Sequence, residues 1–252
     1  MRILLFVLGT VNFVGAVALA ASRNDIPDKA FWAEWALTAF GATLATLVVP
    51  PLQTWVVDHG ERGRRRGLER EDAVRQLLTG ALVDVVRANP DLDCTTTGVH
   101  AFRVGRRFGL RRPLVRQHQK RLARVKLTFS PPPSGIEWTV GKGLIGRCWE
   151  TRTNVAVDLR DCFGPYLGSS RAEWDRLDAQ TRFGLSFDEF SKTKDSFGWV
   201  AAAPILDRQG GYLGCVSLDT PRSAPGSVNI EGIKERLRAT AVSVELLLAN
   251  RN

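Results

Sequence analysis

Two apolar runs, Ile3 to Ala21 and Ala30 to Val57, open the chain, and a basic run of Arg62, Arg64, Arg65 and Arg66 follows directly. The first run carries no charge, and Thr10 and Asn12 are its clearly polar residues. At 1.5 Å rise per residue, about 20 apolar residues cross a hydrocarbon core of about 30 Å. The second run is interrupted only by Glu34 and Gln53, with Trp32 and Trp35 at one end and Trp55 at the other, a placement suited to interfacial aromatic belts. The sequence therefore predicts two transmembrane helices, 3–21 and 30–57, joined by the polar loop Ser22 to Lys29. Pro50 and Pro51 are expected to kink or end the second one, and Glu34 to lie at the outer interface.

Clustered Lys and Arg beside a span stay on the cytoplasmic side, so the remainder of the chain is expected inside the cell, tied to a multi-pass cell-membrane anchor. Met1-Arg2, the first apolar run and Ala18-Leu19-Ala20 also fit a signal peptide with a small-residue cleavage site. Either assignment keeps the second span and the orientation. Three expected regions follow: the hairpin over 1–57, a basic juxtamembrane segment and linker helix over 58–89, and a folded domain with a C-terminal helix over 90–252.

The whole chain carries a formal net charge of +9. In residues 1–57, Arg2, Arg23 and Lys29 balance Asp25, Asp28 and Glu34, so the excess lies entirely beyond the hairpin. A basic domain at an anionic inner leaflet is drawn to that surface. Cys94, Cys148, Cys162 and Cys215 form no Cys-x-x-Cys pair, and His59, His100 and His118 are the only histidines. That pattern points away from a structural zinc site. In a cytoplasmic domain the thiols are expected reduced and mostly buried.

Beyond the basic run, Leu68 to Asn89 has apolar residues at helical spacing, ended by Asn89-Pro90, and Ile230 to Ala249 repeats the pattern. Their apolar faces could pack together, onto a sheet, or against a second copy. Between them, Gly98 to Val104 and Arg121 to Phe129 alternate with period two, and Asn154 to Leu159 reads as a short strand. Trp199 to Leu206 and Tyr212 to Leu218 bracket Asp207-Arg208-Gln209-Gly210-Gly211, a hairpin connection. Ser130-Pro131-Pro132-Pro133-Ser134-Gly135 reads as a rigid turn. Trp138 to Trp149 reads as a glycine-rich lead into a short helix.

These segments resemble a GAF domain, a small ligand-sensing fold related to PAS domains. Gly141-Lys142-Gly143-Leu144-Ile145-Gly146, followed by Val155-Ala156-Val157-Asp158, looks like that family's glycine, helix and strand segment. Ala203-Pro204-Ile205-Leu206, Gly210-Gly211 and Leu213-Gly214-Cys215-Val216-Ser217-Leu218 resemble its closing hairpin. The resemblance covers about three quarters of the chain, from about residue 68 to 250. It implies an α+β fold: an antiparallel sheet of six strands or so, flanked by helices on one face, with a pocket on the other. With the N-terminal pair, the expected architecture is a two-helix membrane hairpin followed by a GAF-like antiparallel sheet flanked by helices.

Three features carry candidate chemistry. Gly141-Lys142-Gly143-x-x-Gly146 lacks the full phosphate-loop pattern, and its glycines are better read as a tight turn with close packing. The segment from Cys162 to Gly198 is rich in aromatics, and the resemblance places it over the pocket. The candidate ligand-binding set is Trp138, Trp149, Tyr166, Trp174, Phe183, Phe187, Phe190, Phe197 and Trp199, matched to a planar small molecule. A packed insertion with its own small core is the competing account.

The third feature is the stretch Arg103 to Lys126, with no acidic residue and Arg103, Arg106, Arg107, Arg111, Arg112, Arg116, Lys120, Arg121, Arg124 and Lys126. Gly105, Gly109 and Pro113 predict that its first part is a loop. The candidate lipid- or anion-binding set is Arg62, Arg64, Arg65, Arg66, Arg103, Arg106, Arg107, Arg111, Arg112, Arg116 and Lys120. Each such cation near an anionic leaflet adds about 1 kcal/mol. With Phe108 the lone interleaved aromatic, nucleic acid is the least favoured partner.

One branch of the resembling family reduces methionine sulfoxide with cysteines, but its surrounding motif is not visible around Cys148 and Cys162. The expectation is thus a membrane-anchored sensory or regulatory domain that does no chemistry, binds a small ligand or partner, and signals through helix or dimer rearrangement. Its expected partners are membrane lipids, a small molecule, and a second copy or a partner protein; no particular cofactor is implied. The alternatives are a ligand-gated effector whose hairpin perturbs the membrane, and a lipid-docked scaffold with no ligand.

Overall fold

The structure is a computed structural model that describes residues 2–24, 26, 28, 30–31, 36–109, 112–127 and 135–249. Trp32, Glu34 and Trp35, Arg111, and the turn through Ser130 and Ser134 lie outside the described residues. So do the side chains of Ile3, Leu4, Arg106, Arg107, Phe108, Arg112 and Arg116. The chain divides into two compact units, Met1–Glu69 and Arg70–Asn252.

The first unit is helical. Helix α1 spans Arg2–Arg23, and α2 begins at Ala36 and runs to Ala88, contributing residues to both units. Pro50 and Pro51, expected to kink or end the helix, lie inside α2 and do not end it; the Thr54 hydroxyl donates to the Pro50 carbonyl at 3.1 Å. Nor does a separate linker helix begin at Leu68. The intervening segment carries Arg62, Arg64, Arg65 and Arg66, arginine being a good helix former, and Arg62 meets Asp58 one turn earlier at 3.6 Å. Among the described residues, no helix is long and apolar enough to cross a membrane, so the expected pair of spans is not shown. The described parts of these helices expose large apolar side chains, among them Phe6, Phe13, Leu37, Phe40, Leu47 and Trp55.

The second unit is an α+β domain. Strands β1 (Gly98–Gly109), β2 (Arg112–Val125), β3 (Val155–Asp158), β4 (Phe197–Leu206) and β5 (Tyr212–Pro221) form one five-stranded sheet in the order β2-β1-β5-β4-β3. All its pairings are antiparallel. The sheet thus has five strands among the described residues, where six or so were expected. Between β2 and β3 lies α3 (Gly143–Thr151). Between β3 and β4 lie α4 (Leu159–Phe163), α5 (Arg171–Arg176) and α6 (Phe187–Thr193), and α7 (Ile230–Ala249) follows β5.

Arg103 to Gly109, the part expected to be a loop, is strand. Backbone pairing continues from Arg103↔Lys120 to Arg107↔Arg116 and Gly109↔Arg112. β1 meets β5 only from Gly98 to Arg103, so the rest of the β1–β2 hairpin is a two-stranded extension. Pro113 is accommodated because it stands at the start of a strand at the sheet edge, where its missing N–H costs no central ladder bond.

Period-two alternation gives the sheet two distinct faces. Val99 and Ala101 of β1, Ala123 and Val125 of β2, Ala201, Ala203 and Ile205 of β4, and Val216 and Leu218 of β5 face one side. Val74, Leu78, Leu82 and Val85 of α2 pack there with Ile233, Leu237, Ala241 and Val244 of α7. Both helices share one core with this face of the sheet. Asn89 locks the end of α2 to α7: its Nδ2 donates to Val85 O at 2.9 Å, and its Oδ1 accepts the Asn229 N–H at 2.7 Å.

The β1–β2 register slips between Ala101 and Phe102, which pair with Ala123 and Arg121, and again between Arg107 and Gly109. At the first slip Leu122 is the extra residue, and it packs with the helix-side core. A bulge of this kind reverses side-chain parity along the strand that contains it.

Candidate functional site

The opposite face of the sheet is the floor of a cavity of about 250 Å³. His100 and Phe102 rise into it from β1, Val200 from β4, Ser217 and Asp219 from β5, and Arg121 and Arg124 from β2, with Lys126 just beyond. Alternation brings Arg124 and Lys126 to this face. The bulge at Leu122 brings Arg121 there as well, where an unbroken strand would have sent it toward the helices.

The covering segment begins with α3. Gly143 has φ of +60°, and a Cβ there would lie 2.5 Å from the Trp138 ring. Gly146 is more constrained, since its Cβ would lie 2.2 Å from the Thr139 carbonyl oxygen. Both fit the expected role of these glycines in tight packing. The Gly143 N–H donates to Phe183 O at 2.7 Å, which ties the start of α3 to the aromatic insertion. Trp138, Leu144, Ile145, Leu159, Phe163, Phe183, Leu185 and Phe197 form apolar walls, and Thr193, Ser196 and the exposed Lys192 also line the cavity.

The insertion is held by two short helices with capping boxes. Ser170 with Glu173 closes α5, and Ser186 with Glu189 closes α6. Burial pushes the Glu189 carboxyl upward, but the Ser186 N–H and Lys142, at 2.9 Å, outweigh it and hold Glu189 below the usual carboxylate range. Trp174 is fully buried at the centre, stacked on Phe190 with ring centroids 3.8 Å apart and edge-on to Phe163 at 6.1 Å and Tyr166 at 6.2 Å. Its indole N–H donates to Leu185 O at 3.2 Å.

Of the nine aromatics singled out in the sequence, Trp138, Phe183 and Phe197 line the cavity. Trp174, Phe190, Tyr166 and Phe187 belong to the core of the insertion, with the Arg171 guanidinium over the Phe187 ring. Trp149 stacks on Tyr212 at 5.3 Å and does not line the cavity. Trp199 is half-buried on β4, and its ring N–H has no hydrogen-bond partner. Among the basic candidates, Arg62, Arg64, Arg65, Arg66 and Lys120 are exposed, and Arg103 is half-buried.

At the polar end of the cavity, Arg121, Arg124 and Lys126 come from the basic stretch singled out in the sequence, whereas His100 and Asp219 were not read as site residues. His100 Nε2 is hydrogen-bonded to Asp219 Oδ1, and Lys126 Nζ stands 3.8 Å from Asp219 Oδ2. Burial alone would raise the Asp219 pKa, but the His100 hydrogen bond and the charges of His100, Lys126 and Arg124 hold it below the usual range. Burial, with repulsion from Arg124, lowers the Arg121 pKa, partly offset by Asp219. His100 Nδ1, Asp219 Oδ2 and the Nε atoms of Arg121 and Arg124 are buried without hydrogen-bond partners. The available signal was the spacing of Arg124 and Lys126, two apart on one strand; the bulge that adds Arg121 leaves no mark in the sequence.

Neither Cys148 nor Cys162 lines the cavity. Cys148 is fully buried, and its hydrogen bond with Cys215, together with burial, pushes its pKa up. Burial raises the Cys162 pKa as well. Among the described residues no group of His, Cys, Asp and Glu side chains could hold a metal ion.

No family model matches the chain, and no curated relative does. Solved structures do resemble it. The type II free methionine-R-sulfoxide reductase of Thermoplasma acidophilum is 16% identical, with 71% of this chain and 94% of that one covered at a TM-score of 0.39. The GAF domain region of a Geobacter sulfurreducens PCA protein is 13% identical, covering 75% and 98% at 0.45. The reduced fRMsr of Staphylococcus aureus is 12% identical, covering 72% and 94% at 0.36. Reductases stand among these structures, and in place of the expected domain without chemistry enzyme status is open. The fold is GAF-like: an antiparallel sheet with terminal helices on one face and a cavity on the other.

Proposed function

We propose that this chain is a sensory or regulatory protein whose GAF-like domain binds a small ligand in the cavity on the sheet. The observation that carries the proposal is the preformed cavity itself, with apolar walls and a few converging polar groups, which is how small-molecule sites are built. The strands that floor it also contact the terminal helices. His100 lies between Val99 and Ala101, and Ser217 between Val216 and Leu218, so a ligand that shifts the cavity side bears on the residues beneath α2 and α7. A ligand switches the domain by favouring one arrangement over another, and α2 is the element proposed to carry that change out of the domain.

The N-terminal unit is proposed to hold the protein at the inner face of the cell membrane. Its exposed apolar side chains and the exposed arginines Arg62, Arg64, Arg65 and Arg66 support this. Native mass spectrometry of the full chain in mild detergent, before and after denaturation, tests the ligand proposal. A stoichiometric small molecule released on unfolding is the expected result; a cavity found empty in protein from several growth conditions would refute it. Membrane placement predicts that the chain stays with the membrane pellet through alkaline extraction, and release into the supernatant would refute it.

A further inference from the structure

The polar end of the cavity has more positive charge than its own carboxylate can neutralise. Arg121, Arg124 and Lys126 converge there on Asp219, the one acidic side chain among the described lining residues. Asp219 is already engaged by His100 and faces Lys126 at 3.8 Å. The Nε donors of Arg121 and Arg124 are buried and lack partners. Arg121 and Arg124 are half-buried with their Nε donors unsatisfied, and the single Asp219 carboxylate only partly offsets the desolvation of Arg121 and its repulsion by Arg124. Such a cluster stands ready to receive an oxyanion, for which paired arginines supply forked, charge-assisted donors.

The rest of the cavity limits what can carry that oxyanion. Beside the cations the walls are apolar and partly aromatic, including Trp138, Phe163 and Phe183. A volume of about 250 Å³ lies below the range of about 300–1,000 Å³ common for drug-sized ligands. We infer that the cavity selects a small amphiphilic anion, a single-ring-sized apolar body bearing one carboxylate or phosphate, with the oxyanion on Arg121 and Arg124 and the body against Trp138. This inference rests on the proposal that the cavity is a ligand site. A neutral ligand would complete the desolvation of the two guanidinium groups without pairing them, and a cationic one would be repelled.

The test is isothermal titration calorimetry on the full chain with phenylacetate, phenyl phosphate, neutral phenylacetamide, cationic phenethylamine and inorganic phosphate. The two amphiphilic anions should bind about tenfold or more tightly than phenylacetamide, the fold expected from charge-assisted over neutral pairing. Phenethylamine should give no heat, and inorganic phosphate should bind more weakly than phenyl phosphate. Arg121→Gln and Arg124→Gln should each remove the preference for the anions over phenylacetamide. Rising sodium chloride should weaken the anions only, a comparison made on the unaltered protein should either variant fail to fold. The order of the two anions separates a carboxylate from a phosphate ligand.

Equal affinity for phenylacetate and phenylacetamide would overturn the anion assignment while leaving the cavity a ligand site. Silence from every probe, with a neutral molecule released in the native mass spectrum, would do the same. Silence from every probe together with an empty cavity would overturn both proposals.

Discussion

Replacing Trp174 with alanine removes the ring at the centre of the aromatic insertion. The side chain is fully buried, stacked at 3.8 Å on Phe190 and edge-on to Phe163 and Tyr166. Truncating a buried tryptophan costs about 3–5 kcal/mol in lost transfer energy and residual cavity. The same change strands the Leu185 carbonyl, which now accepts the indole N–H at 3.2 Å, so the upper half of that range applies. For a domain of this size, each kcal/mol moves the melting temperature by about 2–4 °C. A loss of about 4 kcal/mol therefore lowers it by about 8–16 °C, a large share of the total stability of about 5–15 kcal/mol.

Thermal and urea unfolding of the full chain, followed by near-ultraviolet circular dichroism, measures this directly. Trp138→Ala is the control, because that ring is half-buried and lines the cavity, so its loss should affect stability less than that of Trp174. Retention of the native signal in Trp174→Ala with a loss below about 1 kcal/mol would refute the assignment of the insertion as a packed core, since surface-like substitutions fall in that range.

Four further outcomes are expected. Ser170→Ala and Ser186→Ala each remove a capping-box hydroxyl and should cost about 1 kcal/mol in chemical denaturation; additive losses near zero would contradict the caps. Gly146→Ala sets a Cβ 2.2 Å from the Thr139 carbonyl oxygen and should destabilise by about 1–3 kcal/mol, as overpacking does, with no loss refuting that close approach. The lowered Asp219 pKa stabilises the fold above the ordinary carboxylate value of about 3.9, and that stability is lost as pH falls through the folded value. Asp219→Asn should flatten the acid limb of stability against pH, and an unchanged slope would argue against the His100–Asp219 pairing. Alkylation of the native protein should modify the half-buried Cys94 well before Cys148, whose buried thiol has a raised pKa; comparable rates would refute the burial of Cys148.

The elements legible in the sequence were those whose pattern comes from local backbone period. Trp199 to Leu206, Tyr212 to Leu218 and Ile230 to Ala249 reappear as β4, β5 and α7 with shifts of a few residues at most. Asp207 to Gly211 is the hairpin turn, closed by the Asp207 N–H donating to Gly211 O at 2.8 Å. The basic stretch after Arg103 misled because glycine, proline and like charge argue for a loop, while backbone pairing between β1 and β2 depends on none of those side chains. The site was less legible than the fold. Aromatic content marked the insertion but could not separate Trp174, which fills its core, from Phe183, which faces the cavity. His100, Arg124 and Asp219 lie far apart in sequence and meet only through strand pairing, His100 opposite Arg124 on one side and Ser217 on the other.

The extra residue at Leu122 acts on β2 as a frameshift acts on a message. Toward Lys126 the even-numbered Arg124 and Lys126 line the cavity, and on the other side of Leu122 the odd-numbered Arg121 does. The charge of the cavity is therefore set by where the shift falls as much as by which residues are basic. Removing one residue there would restore a regular ladder yet turn Arg121, or its neighbours, to the opposite face. Lineages carrying this fold could thus exchange a cationic cavity for a neutral one by a single-codon insertion or deletion, a route that comparison of substitutions alone would overlook.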